Sequence, residues 1–295
     1  MKQARIGIHG AEISGCTGKG VGVAVLDTGC FPHEDLVPHI AAFSDMVQKQ
    51  TRPYDDNGHG THVCGIIGGT GAASGRLYQG IAPDCHLIPV KVLDRRGNGY
   101  ASDVLAGLRW IRQYRETYGI RIVNISVGSF SRRNMGENSA LVRGVNEAWD
   151  DGLIVVVAAG NMGPRRGTIT TPGISRKVIT VGCSDDHREV NVMGSRMIDY
   201  SGRGPTGSCI CKPDLVAPGA SITSCSNQPG RYTSKSGTSM ATPLVSGALA
   251  LLLEKHPKLT NRDVKLLLRE RCTDIGLPKN QQGWGILDVA KLLDG

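Results

Sequence analysis

Three short segments carry the side chains that nucleophilic acyl chemistry requires. Val25-Leu26-Asp27-Thr28-Gly29 ends an apolar run on a carboxylate. Asn57-Gly58-His59-Gly60-Thr61-His62-Val63 packs small residues around a histidine. Ser236-Gly237-Thr238-Ser239-Met240-Ala241-Thr242-Pro243 leads into an apolar helical run. A hydroxyl that attacks a carbonyl needs a neutral imidazole to take its proton and a carboxylate to hold that imidazole in the right tautomer. Ser239, His59 and Asp27 supply these three groups. Donors must also face the oxygen that becomes negative. Ser239 falls at a predicted helix N-terminus, where free N–H groups and the helix dipole favour negative charge. Its backbone N–H and the side-chain amide of Asn161 can act as the pair of donors. Pro243 is expected in the first turn of that helix, where proline is tolerated.

The segments around these groups alternate between two periods. Residues 21–26, 87–93, 121–127, 153–159 and 178–181 are short apolar, β-branched runs of strand length. Residues 100–118, 137–150, 238–255 and 260–271 carry apolar positions at helical spacing. Thr260 with Asp263 three positions on is an N-cap signature. Strand and helix in alternation imply parallel pairing with right-handed crossovers. Strands apolar throughout imply a sheet covered on both faces. The expected fold is therefore α/β, doubly wound, with a mostly parallel central sheet and helices on both faces. No internal repeat or linker divides the chain, so residues 1–295 are expected to form one domain, with no separate folded pro-domain. In such a sheet the site lies at the carboxyl ends of the strands: Asp27-Thr28-Gly29, Gly128-Ser129 and Gly160-Asn161.

Composition removes several alternatives. Hydrophobic residues are 40% of the 295 and the net charge is only +8, so a disordered chain is excluded. No apolar run approaches the roughly 18 residues of a membrane span. The basic residues are spread without a dense run, which favours a solvated surface over a nucleic-acid face. Nine cysteines are an odd number without CxxC pairs, and Cys209-Ile-Cys211 is too close for a zinc knuckle. They read as reduced thiols, none needed for the chemistry. With no apolar h-region near Met1–Arg5 the expected location is cytoplasmic, the alternative being a secreted mature form whose leader has been removed.

Asp-Thr-Gly, His-Gly-Thr-His and Gly-Thr-Ser-Met-Ala-Thr-Pro, in that order, resemble the subtilisin-type serine proteases (subtilases), intracellular bacterial members among them. Asn124-Ile125-Ser126-Val127-Gly128 and Ala158-Ala159-Gly160-Asn161 extend the resemblance, which runs from about Gly18 to Gly285. It implies a three-layer fold and a serine endopeptidase with Asp27, His59 and Ser239 as triad and Asn161 with Ser239 as oxyanion hole. It also implies that substrate lies as an added strand between Gly97-Asn98-Gly99 and Ser126-Val127-Gly128. The pocket for the residue before the scissile bond would be walled by Ser126-Val127-Gly128 and Ala158-Ala159-Gly160, with Thr170 near its floor. These walls carry no carboxylate, which implies an uncharged, apolar preference. Ala101 stands where many relatives place an aromatic, and Arg95-Arg96 precede the substrate strand. A catalytically silent binding or signalling scaffold and a peptide ligase or transpeptidase remain as alternatives.

Further motifs have plainer readings. His62 lies three after His59, not four, and no HExxH occurs, so a hydrogen-bonded structural histidine is expected and no metal is assigned. Cys64 is expected to be a buried, inert thiol. Met240 follows the nucleophile and is either a packing residue or a point of oxidative sensitivity. Gly69-Thr70-Gly71-Ala72-Ala73-Ser74 follows a helix and lacks the last glycine of a dinucleotide fingerprint. No cofactor is required for the chemistry. The resemblance makes structural calcium possible, but residues 68–80 have Gln79 as their only amide, so the common loop site is not supported.

Overall fold

The computed structural model describes residues 15–128, 136, 138–192 and 194–294. The apolar runs become strands β1 (Gly22–Asp27), β3 (His86–Lys91), β4 (Ile120–Ile125), β5 (Ile154–Ala158) and β6 (Ile179–Cys183). Two shorter strands, β2 (Ser44–Asp45) and β9 (Leu215–Ala217), complete a seven-stranded sheet in the order β2-β3-β1-β4-β5-β6-β9, parallel at every pairing. β1, β5 and β6 are buried along their whole length, as strands covered on both faces must be. Two antiparallel hairpins, β7 (Val190–Val192) with β8 (Ser195–Met197) and β10 (Ile222–Cys225) with β11 (Tyr232–Lys235), stand apart from the sheet. Strands of two to four residues are too short to show a period, so none of these six was anticipated.

Helix α1 (His59–Gly68) lies outside the segments with helical spacing, whereas α2 (Ala101–Tyr114), α3 (Ala140–Asp150), α4 (Thr238–Lys255) and α5 (Asn261–Arg271) follow the predicted ones, with two short helices, α6 (Lys279–Gln282) and α7 (Val289–Leu293), behind them. Helices α1 and α4 pack together on one face of the sheet, α2 and α3 on the other, which gives the three layers. Thr260 caps α5 through the capping box its spacing implied. Ser129 and Glu137, used in the strand-end and helix expectations, lie outside the described residues, as do Met1–Arg5.

One detail is corrected. Pro243 is the sixth residue of α4, in its second turn and not its first, because the helix starts at Thr238 behind Gly237 at φ 140°. Proline there has no N–H for the carbonyl four residues earlier, which is that of Ser239. The helix tolerates it because it is buried along most of its length against β4, β5 and β6.

Asp27 is the last residue of β1, residues 126–128 follow β4, and residues 159–161 follow β5, so three neighbouring parallel strands deliver the candidate residues to one edge of the sheet. Helix α1 comes down onto that edge at Gly60, where a Cβ would stand 2.1 Å from the Gly29 carbonyl oxygen. Only glycine permits that approach, and it sets His59 beside Asp27.

Candidate active site

Asp27 is fully buried, and its Oδ1 accepts hydrogen bonds from the Thr28 N–H (2.7 Å) and from His59 Nδ1 (2.7 Å). A carboxylate accepts only, so the proton of His59 sits on Nδ1 and Nε2 keeps its lone pair. Oδ2 of Asp27 has no hydrogen-bond partner among the described residues. The His59 side chain is 25% exposed, open on one side to whatever enters the cleft. Burial disfavours its cation, but the Asp27 charge and hydrogen bond outweigh this and hold the His59 pKa above its ordinary 6.5.

Asp55, which the motifs did not single out, holds this pair in place. It is buried and takes five donors: the Thr28 hydroxyl (2.9 Å), the Asn57 and Gly58 N–H groups (3.0 and 2.8 Å), and the Thr61 N–H and hydroxyl (2.9 and 2.6 Å). Thr28 in turn accepts from the Gly60 N–H at 2.8 Å. The Asp55 carboxylate thus ties the end of β1 to the first turn of α1. Burial opposes its ionisation, but these donors overcome that and lower its pKa below 3.8. Its signal in the sequence is a carboxylate four residues ahead of His59, where the structure starts a helix.

Ser239 is the second residue of α4, where backbone N–H groups have no intrahelical acceptor. The first residue, Thr238, donates its N–H (2.9 Å) and its hydroxyl (3.1 Å) to Oδ1 of Asn161. A backbone N–H can only donate, so the Asn161 oxygen faces Thr238 and its NH₂ is turned away from it. Nδ2 lies against Gly237, 3.2 Å from where a Cβ would stand. The Thr238 hydroxyl also accepts from the Gly160 N–H at 3.1 Å, which fixes the strand end to the helix start.

The Ser239 hydroxyl donates to the Ser126 carbonyl at 2.6 Å rather than to His59. In this conformation Ser239 and His59 are therefore not hydrogen-bonded to each other. The physical reason is local: pairing between β4 and β5 ends at Ile125, so the next carbonyl, that of Ser126, is a spare acceptor, and a hydroxyl rotates to suit its neighbours. Ser126 is itself tied to α4, since Ser246 donates to Asn124 Oδ1 (2.8 Å) and Asn124 Nδ2 donates to the Ser126 hydroxyl (2.9 Å).

The expected substrate-binding residues fall into two groups. Ser126, Val127 and Gly128 lie beside Ala158, Ala159 and Gly160 because β4 and β5 are paired neighbours. Thr170 sits between them: a Cβ at Gly128 would stand 2.3 Å, and one at Gly160 2.4 Å, from its side chain. Both glycines are therefore forced by the approach of Thr170, whose N–H bonds the Ala159 carbonyl at 2.9 Å. Gly97, Asn98 and Gly99 lie in a separate loop after β3. Asn98 is taken up within it, its carbonyl accepting from the Asp94 N–H (2.7 Å) and its N–H donating to the Asp94 carboxylate (2.9 Å). Asn57 Nδ2 donates to the Arg95 carbonyl (3.0 Å), which fastens this loop to the start of α1.

His62 is fully buried, and its Nε2 donates to the Ile222 (3.0 Å) and Thr233 (3.1 Å) carbonyls, binding α1 to the β10–β11 hairpin. Burial first, then the neighbouring His59 and Lys235 charges, push its pKa down to about 3, so it is a neutral structural residue, as expected. Cys64 is buried, and its contact with Cys30 together with burial raises its thiol pKa well above 9.0. Met240 is 1% exposed. His33, Asp35 and Cys225 place one ligand atom each within 4.8 Å of one another. Their donors and acceptors are already engaged, however. His33 accepts from the Asp35 N–H and donates to the Arg231 carbonyl (both 3.1 Å), and Asp35 accepts from Ala73 N–H (2.9 Å) and Tyr232 hydroxyl (2.8 Å). Those contacts also close the loop of residues 68–80 over Asp35, and the set does not fit a resident cation.

Residues 18–285 match the subtilase family of S8 peptidases. The chain is 45% identical over 270 residues to "Serine protease AprX" of Bacillus subtilis (strain 168), covering 86% of this chain and 61% of that protein, less than two thirds of its length. It is 35% identical over 287 residues to "Subtilisin Savinase" of Lederbergia lenta, covering 97% of this chain and 95% of that one. Among solved structures, "Sphericase" superposes with a TM-score of 0.78 at 32% identity, covering 92% of each chain.

Proposed function

The chain belongs to the subtilase family of serine-type endopeptidases, and on that premise we propose that it hydrolyses peptide bonds with Ser239 as nucleophile, His59 as general base and acid, and Asp27 as the group that orients His59. The observation that carries this assignment is the 2.7 Å bond from His59 Nδ1 to buried Asp27, which leaves Nε2 free as a base. Ser239 turns its hydroxyl from the Ser126 carbonyl to Nε2 and attacks the scissile carbonyl. The Ser239 N–H and the Asn161 NH₂, aimed by Thr238, hold the oxygen as it becomes negative. His59 then protonates the leaving amine, and water releases the acyl group from Ser239.

Peptide or protein is the substrate class of the family. We assign the residue before the scissile bond to the space between residues 126–128 and 158–160, over Thr170. Among the described residues its walls carry no charge, which supports an uncharged, apolar side chain there. The Gly99 backbone groups, unlike those of Asn98, are not taken up within their loop, which supports pairing with an extended substrate strand. The thiols of Cys30, Cys64, Cys85, Cys183 and Cys225 are buried and those of Cys209 and Cys211 exposed. That usage favours a reducing compartment.

Ser239→Ala is the direct test. In a subtilisin, loss of the nucleophile costs about 10⁶-fold in kcat, and the same order is expected here on an apolar-P1 peptide. A variant that keeps more than about a tenth of the turnover removes Ser239 from the mechanism.

A further inference from the structure

The first turn of α1, which carries His59, is held from two sides. On one side Asn57 bonds the Arg95 carbonyl in the loop of residues 94–99, whose Gly99 is proposed above to pair with the substrate strand and which we take to hold its acyl half. On the other, His62 bonds the Ile222 and Thr233 carbonyls, and Asn227 Nδ2 donates to the Asp55 carbonyl at 3.2 Å. The β10–β11 hairpin therefore flanks His59 opposite the acyl-binding loop, where the leaving half of a peptide must emerge.

Lys235 is the last residue of β11, paired across the hairpin with Ile222 and four residues ahead of Ser239. The next residue, Ser236, takes the Ser221 N–H on its hydroxyl at 2.9 Å, so the strand end is anchored on both sides of Lys235. Lys235 is partly exposed, and among the described residues its ammonium has no ion-pair partner. Ile222, its partner across the hairpin, accepts the His62 Nε2 hydrogen bond on its carbonyl at 3.0 Å, so Lys235 lies on the strand end fastened to the first turn of α1, and its charge opposes protonation of both histidines. Among the described residues the carboxylates around this edge have other partners, Asp185 holding the Gly219 and Ala220 N–H groups. Asp27 is bonded to His59, Asp55 is enclosed by its five donors, and Asp56 is paired with buried Lys91 at 2.7 Å.

We infer that Lys235 is a specificity residue that favours substrates with an acidic side chain on the leaving side of the scissile bond. This rests on the hydrolase assignment of Ser239 and deepens it: the acyl side is selected by an uncharged pocket, the leaving side by a cation with no ion-pair partner among the described residues. An acidic side chain one or two residues past the cleaved bond would meet the ammonium at the cleft mouth, where solvent still screens the pair. The gain belongs to the exposed-ion-pair scale, about two- to fivefold in kcat/KM. A basic side chain there is disfavoured by a similar factor.

The test is a set of peptides with one acyl half and Glu, Gln or Lys at the first or second position after the cleaved bond. The order Glu over Gln over Lys is expected in kcat/KM. In Lys235→Gln the Glu-to-Gln ratio should fall to about one, and in Lys235→Glu the order should reverse. The unaltered chain in about 1 M salt, where the Debye length is about 3 Å, should lose most of its preference, a readout that needs no variant. Equal rates for Glu and Gln peptides in a chain that cleaves both overturn the Lys235 assignment and leave Ser239 standing. A chain that cleaves none of the peptides and whose Ser239 does not react with a fluorophosphonate overturns both.

Discussion

At the scale of single residues the chemistry turns on protons. His59 acts as a base only when neutral, and Asp27 holds its pKa above 6.5 against the opposing effect of burial. Activity must therefore rise as pH climbs through a value above the free imidazole's, and kcat/KM should show its acid limb above 6.5. Asp27→Asn removes the charge that raises this pKa, so the limb should move to lower pH while the rate falls by about 10⁴-fold, the scale measured when a triad aspartate becomes asparagine. A pH profile of both forms checks this, and an unmoved limb would detach Asp27 from His59. The residues proposed as the triad were legible in the sequence because each sat in a short motif. The rotamer of Ser239 was not, because it depends on the Ser126 carbonyl being left over at the end of a β4–β5 pairing.

At the scale of elements, the geometry depends on how β1, α1 and α4 meet. Asp55 is the joint between the first two, satisfying donors from Thr28, Asn57, Gly58 and Thr61. Replacing it by alanine leaves several of these buried donors without an acceptor. Each such group costs about 1–3 kcal/mol, and because the costs are not additive the expected loss for Asp55→Ala is about 3 kcal/mol, read by urea unfolding. The sign with pH follows from its lowered pKa: the stabilisation is present above the unfolded value of 3.8 and is lost as pH falls through the lower folded value. The acid limb of stability should thus flatten in the variant, and a wild-type-like midpoint would contradict the role. Helices α2 to α5 and the long strands could be read from period alone, Thr260 and its capping box included, whereas α1 is buried nearly all round and shows no polar face to mark it. The strands β2 and β9 and the two hairpins could not, because two to four residues carry no period and their pairing is set by what they pack against. Pro243 misled for a related reason, since the start of α4 is fixed by Gly237 and Asn161 and not by the proline.

At the scale of the whole molecule, the seven parallel strands and two helical layers do one thing for chemistry: they bring residues from positions 27, 59, 161 and 239 to a single edge. The order of the motifs along the chain pointed to this, and the rule that such sheets act at their carboxyl ends located it. The hairpin β10–β11 adds what the motifs did not show, a cation beside the exit of the cleft. The proposed hydrolysis depends on Ser239 being a nucleophile activated by His59. The measurement that meets it most directly is reaction of the folded chain with a fluorophosphonate, followed by intact mass and peptide mapping. The account predicts one adduct per chain, located on Ser239, and none in His59→Ala over the same time. No adduct on the folded chain, or an adduct on another serine, would contradict it.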